Sequence, residues 1–198
     1  MRKLLFIIAL ISSMNCRAQQ ILLDKQENNG DRAIVTTSVI FTKDKGFLGS
    51  GASHEIFMQL NRFRRGNLYV DQYSICFPQI STRRWSLDVG RRMLLKTQKD
   101  SVIEIANTIP VSESDNTYEI ISNYTFYTIH PLYGVSSDQI NQIIKGGIKK
   151  LRIETNSGAY DLAPNDKSKF WNFSLAVKMC YDCIQNRLSY NNDIHNNF

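Results

Sequence analysis

The chain predicts an α+β fold: a mainly antiparallel, curved sheet that could approach a barrel, with a short helix and a long C-terminal amphipathic helix packed on it. Three features predict it. From Ala33 to about Leu132, short runs of β-branched and aromatic residues are broken by Gly, Pro, Asn and Asp, as consecutive antiparallel strands require. Past Gly134 the apolar period changes from two to about 3.6. Near the C-terminus, Phe170, Phe173, Val177, Cys180 and Ile184 recur three to four apart, with Ala176, Cys183 and Leu188 widening the same stripe.

The elements begin with Met1-Arg2-Lys3, the apolar run Leu4 to Ile11 and the small polar stretch ending "NCRAQQ". This is the pattern of a secretory signal peptide over residues 1–18, cleaved after Ala18. The apolar run covers only about 12 Å as a helix, too short for a bilayer core. Lipid attachment at Cys16 is the less favoured route, because Ser13 and Asn15 stand where an aliphatic and a small residue are needed. The sequence thus predicts export to the periplasm or beyond, with no transmembrane segment.

With the leader go Arg2, Lys3 and Arg17 and no acid, so the formal charge falls from +6 to +3. That balance removes the case for a nucleic-acid partner. Residues 19–32, polar and ending in an Asn-Gly-Asp turn signal, read as a flexible leader. A single domain over 33–188 follows, long enough to bury about two-thirds of its unfolded surface. Residues 189–198 read as a disordered polar tail.

Within the domain, "AIVTTSVIFT", "HEIFMQLNRF" and "LYVDQYSICF" read as strands. Neither face of the last is purely polar, so it belongs in the sheet interior, and Pro78 ends it. "RRWSLDVG" leads to "RRMLLKT" and "SVIEIANT", a hairpin turning at "QKD". "TYEIISNYTFYTIHPL" is long enough to be one bent strand. Ser136 or Ser137 caps the short helix "SSDQINQIIK", which Gly146 and Gly147 stop. "IKKLRIET" and "AYDLA" are strands, and the closing helix runs from about Asp166 to Leu188.

Few residues carry chemistry. Cys180 and Cys183 stand at redox spacing, but well inside the predicted helix and on its apolar stripe, away from the N-terminal amides that depress a thiol pKa. With Cys76 they read as buried thiols or one structural disulfide, any pairing being open. No metal ligand set has motif spacing: His54-Glu55 lacks a second histidine at Met58. "GSGAS" at 49–53 is neither a phosphate loop nor a nucleophile elbow. No catalytic residue and no cofactor is implied.

Arginines recur in the strand region: Arg62, Arg64 and Arg65 about Phe63, then Arg83 and Arg84 before Trp85, then Arg91 and Arg92. If pairing gathers them on one face they form an anion- or partner-binding patch; otherwise they guard strand ends against aggregation. Asp100-Ser101-Val102 fits the short pattern of O-glycosylation at Ser101 in secreted Bacteroidota proteins.

"NCRAQQ", "RRMLLKTQKDSVIEIANT" and "YTIHPLYGVSSDQINQIIKGGIKKLRIETNSGAYDL" together resemble a class of small exported proteins of Bacteroidota with no assigned function. The likeness covers roughly residues 90–188. It implies export and this order of elements, and carries no catalytic residues. The reading is a non-catalytic exported protein that binds a protein or anionic ligand at the envelope; an envelope hydrolase is the alternative.

Overall fold

The computed structural model describes residues 19–41, 53–81, 83–121, 124–162 and 173–196. The signal segment with Cys16, most of "GSGAS", and Phe170 with the expected helix start lie outside these residues. The strands are β1 (Gln19–Gln26), β2 (Arg32–Phe41), β3 (Ser53–Arg65), β4 (Leu68–Cys76), β5 (Gln79–Ser81), β6 (Arg92–Thr97), β7 (Val102–Asn107), β8 (Thr117–Ile121), β9 (Tyr124–Ile129), β10 (Leu132–Val135), β11 (Ile148–Thr155) and β12 (Gly158–Leu162). The helices are α1 (Ser137–Gly146) and α2 (Phe173–Asn196).

Nine strands form one antiparallel sheet in the order β1-β2-β3-β4-β10-β7-β6-β11-β12, and β5-β9-β8 form a second. The fold is α+β as predicted, but the large sheet stays open: β1 and β12 are opposite edges and do not meet. A barrel encloses its apolar face, whereas here α1 and α2 cover that face instead. Alternation does the sorting. In β7, Ile103 and Ile105 are buried while Val102 and Glu104 are exposed; β6 buries Met93 and Leu95.

α2 packs across β1, β2 and β3. Phe173, Val177, Cys180 and Ile184 are fully buried along its face, and a fully buried side chain of this size contributes about 1.5–3 kcal/mol. Phe173 meets Phe77 edge-on at 5.6 Å. Thr36 donates to the Cys180 carbonyl at 3.3 Å, and Gln185 donates to the Tyr73 hydroxyl at 2.9 Å. At α1, the Ser136 hydroxyl accepts from the Gln139 amide at 3.1 Å while the Gln139 side chain accepts from the Ser136 amide at 2.9 Å, the reciprocal cap the Ser-x-x-Gln spacing promises.

Two expectations at the chain ends are corrected. Residues 19–26 are no flexible leader but the edge strand β1, paired with β2 from Gln19↔Ser38 to Gln26↔Arg32. The reason is a partner distant in sequence: the Asp24 carboxylate takes both Arg32 nitrogens at 2.8 Å and Arg187 of α2 at 2.7 Å. Nor is 189–196 disordered, for α2 continues to Asn196; once a helix is nucleated, each added residue gains a hydrogen bond without a fresh nucleation cost.

The expected single bent strand over Thr117–Leu132 is three. The chain reverses between Ile121 and Tyr124 to pair β8 with β9, and breaks again before β10. Cys76 faces Leu132 in the large sheet and Gln79 faces Ile129 in the small one, so one register runs through both, with Pro78 opposite His130 and Pro131 opposite Phe77. Proline has no amide hydrogen, so the two prolines, in adjacent pairs on opposite limbs, interrupt the ladder and divide one ribbon into two sheets.

Candidate functional site: the end of the β3–β4 hairpin

β3 outruns β2 on one side, and β4 outruns β10 on the other. Their register runs to Arg65↔Leu68, around a turn whose first central residue, Gly66, has φ 62, as a type II′ turn demands. β2 stops pairing with β3 at Arg62, and β10 stops pairing with β4 at Tyr73. The last turn of the ribbon therefore stands as two strands only. Leu68, Tyr69 and Val70 are 74%, 54% and 47% exposed on it.

Three arginines share this end. Arg62 is held by Asp71 through two bonds of 2.7 Å and lies over the Tyr69 ring at 5.3 Å; the Asp71 bond raises its already high pKa. Arg64 donates to the Gly66 carbonyl at 3.1 Å, and its amide is accepted by Asp31 of the β1–β2 turn at 2.7 Å. Arg65 donates to the Arg64 carbonyl and covers Phe63 at 5.5 Å. Neither the Arg64 nor the Arg65 guanidinium has a carboxylate partner among the described residues.

The other arginines lie elsewhere, so register does not gather all seven into one patch. Arg83 and Arg84 are exposed beyond β5, with Arg84 over the Tyr127 ring at 5.3 Å. Arg91 donates to Asn156. Arg92, two strands beyond β10, is claimed by Glu154 at 2.8 and 2.9 Å and Glu104 at 3.2 Å. It belongs to an ion-pair ladder on the sheet face away from the helices, continued by Lys150 and Arg152 on Asp161.

The thiols take the packing role. Cys76, Cys180 and Cys183 form no disulfide with one another. Cys180 is fully buried, and burial pushes its thiol up to about 12; Cys76 is pushed to about 12 for the same reason. Cys183, expected on the buried stripe, sits at its margin and is partly exposed. Among the described residues no group of His, Cys, Asp and Glu could hold a metal ion. Ser101 is an exposed residue of the β6–β7 turn, its hydroxyl 2.7 Å from that of Thr97. Asp100 beside it has φ 64 and is held down to about 2 by hydrogen bonds first from Lys149 and then from Lys96.

Sequence reasoning found the three arginines but missed what flanks them, having placed all of "LYVDQYSICF" inside the sheet. The signal was there. Three consecutive large residues, Leu68, Tyr69 and Val70, break the in-out alternation that a covered antiparallel strand shows. A cleft of 540 Å³ beside α1, lined by Thr97, Lys99, Ser101, Asn141, Gln142 and Lys145, was also unforeseen. Comparison with protein-family models, with curated proteins and with solved structures finds no match to this chain.

Proposed function

We propose that the chain is an exported, non-catalytic protein of the bacterial envelope, which binds an anionic partner through the end of its β3–β4 hairpin. The N-terminal segment of residues 1–18 supports export, and no helix among the described residues is long and apolar enough to cross a membrane. One observation carries the binding role. At a two-stranded ribbon end, Arg64 and Arg65 present guanidiniums that have no carboxylate partner among the described residues, beside Leu68, Tyr69 and Val70. Guanidinium forks match carboxylate and phosphate oxygens, and exposed aromatic and aliphatic side chains supply the apolar contact.

The test is titration of the protein against an acidic peptide and against phosphatidylglycerol vesicles at low and physiological salt. Arg64→Glu with Arg65→Glu should weaken binding about tenfold or more, and salt should weaken the wild type in the same sense. Unaltered binding by the double variant would refute the assignment. Intact mass of the protein recovered from its host should place the N-terminus at Gln19.

A further inference from the structure

β10 is only four residues long, Leu132–Val135, and lies between β4 and β7. It pairs with β4 from Cys76 to Tyr73 and with β7 at Asn107 and Ala106, and then the chain leaves the sheet at Ser136 to begin α1. Both neighbours run on. β4 continues from Gln72 to Leu68, and β7 from Glu104 back to Val102, along the line that β10 has left. Among the described residues the large sheet thus lacks one strand over this stretch. Since neighbouring strands lie about 4.8 Å apart, the vacated lane is about 10 Å across where β10 ends.

Both banks of the lane carry the marks of an unfilled position. Val70 and Val102, one on each bank, are 47% and 53% exposed, although β-branched residues at these registers are ordinarily covered by a neighbouring strand. On the β7 side the Glu104 carbonyl is met by a side chain, Gln139 Nε2 at 2.8 Å. On the β4 side residues 68–72 make ladder bonds, among the described residues, to β3 alone.

We infer that this lane accepts an extended, acidic peptide segment of a partner protein, which adds to β4 over residues 68–72 as a continuation of β10. The inference rests on the proposed anionic partner and names its kind. A strand running in the direction of β10 lies antiparallel to both banks, and along β4 its main chain finds donors and acceptors in the same pattern that β10 uses. Its apolar side chains cover Leu68 and Val70, and its carboxylates reach Arg64 and Arg65. A bilayer answers only half of these features: it would take Leu68 and Tyr69, yet hydrocarbon heavily penalises open main-chain edges, which a strand satisfies.

The test uses the whole exported chain and a short peptide of alternating valine and threonine closed by two glutamates. A second peptide of the same sequence, N-methylated at alternate amides, keeps the charge and loses the strand pairing. The unmodified peptide should bind and slow amide exchange at residues 68–72 by about tenfold or more. The methylated one should bind at least about tenfold more weakly.

Equal binding of the two peptides, or unchanged exchange at 68–72 with millimolar peptide, overturns strand addition. If phosphatidylglycerol vesicles or the methylated peptide still bind and lose binding on Arg64→Glu with Arg65→Glu, the hairpin reading survives that failure. If binding of every probe is indifferent to the double variant, both readings fall. The two arginines are exposed, so the variant should melt as the wild type does.

Discussion

Cys180 shows how a residue type that suggests chemistry is put to structural use. Its sulfur lies 4.0 Å from the Ile56 carbonyl, inside the layer between α2 and β3, where a charged thiolate would have no water. Burial pushes its pKa up, so the thiolate is scarce at pH 8. Iodoacetamide should therefore modify Cys183 first, and Cys180 and Cys76 only in urea. Mass mapping that finds Cys180 labelled early in native protein would contradict its burial.

Asp24 is the other residue on which much depends. Its side chain is 16% exposed and that of Arg32 only 7%, so Asp24→Asn leaves a nearly buried guanidinium without its counter-charge. The expected loss is about 3 kcal/mol, measurable by urea unfolding. The Arg32 hydrogen bond, chief among the causes, lowers the Asp24 pKa in the fold. A depressed carboxylate stabilises at pH values above its unfolded pKa, near 3.8, and that contribution fades as pH falls through the folded value. Wild-type stability should thus drop below about pH 4 more steeply than that of Asp24→Asn. Parallel curves would exclude the linkage.

At the scale of the element, α2 was legible and β1 was not. The periodic stripe of α2 is a local signal, and Phe173, Ala176, Val177, Cys180, Ile184 and Leu188 are all buried as its spacing requires. Val177→Asp should leave no cooperative melting transition, since an unpaired core charge costs several kcal/mol against a total of about 5–15. A wild-type-like melt would displace the helix from the core. β1 offers no such pattern: its sequence "QQILLDKQ" is polar, and Ile21, Leu22 and Leu23 remain over a third exposed. Its strongest anchors are Arg32, eight residues on, and Arg187 in the last helix, and no local window contains both.

The arginine clusters failed to merge for a related reason. Spacing along the chain cannot tell that β10, arriving from far downstream, inserts between β4 and the β6–β7 hairpin and holds Arg62 apart from Arg92. The fold class needed only local periodicities, whereas the candidate site depends on which strands stop short, and that is decided by pairing between distant segments.

For the molecule as a whole, β1 is one edge of the large sheet rather than an appendage. Deleting residues 19–26 bares the β2 edge and removes the partner of Arg32. The shortened protein should be less stable by several kcal/mol and should aggregate through the new edge, visible by light scattering. A truncated protein as stable and monodisperse as the parent would return those residues to the status of a leader. The small sheet matters here too, because it is joined to the large one through Pro78 and Pro131 with no slip in pairing. That continuity constrains how the gene can change. An insertion or deletion of one codon near either proline shifts one limb of the ribbon against the other and turns its side chains to the wrong face. Variants that tolerate length changes here should carry them in matched pairs, one on each limb, and a saturation library of single-codon indels would reveal that pairing directly.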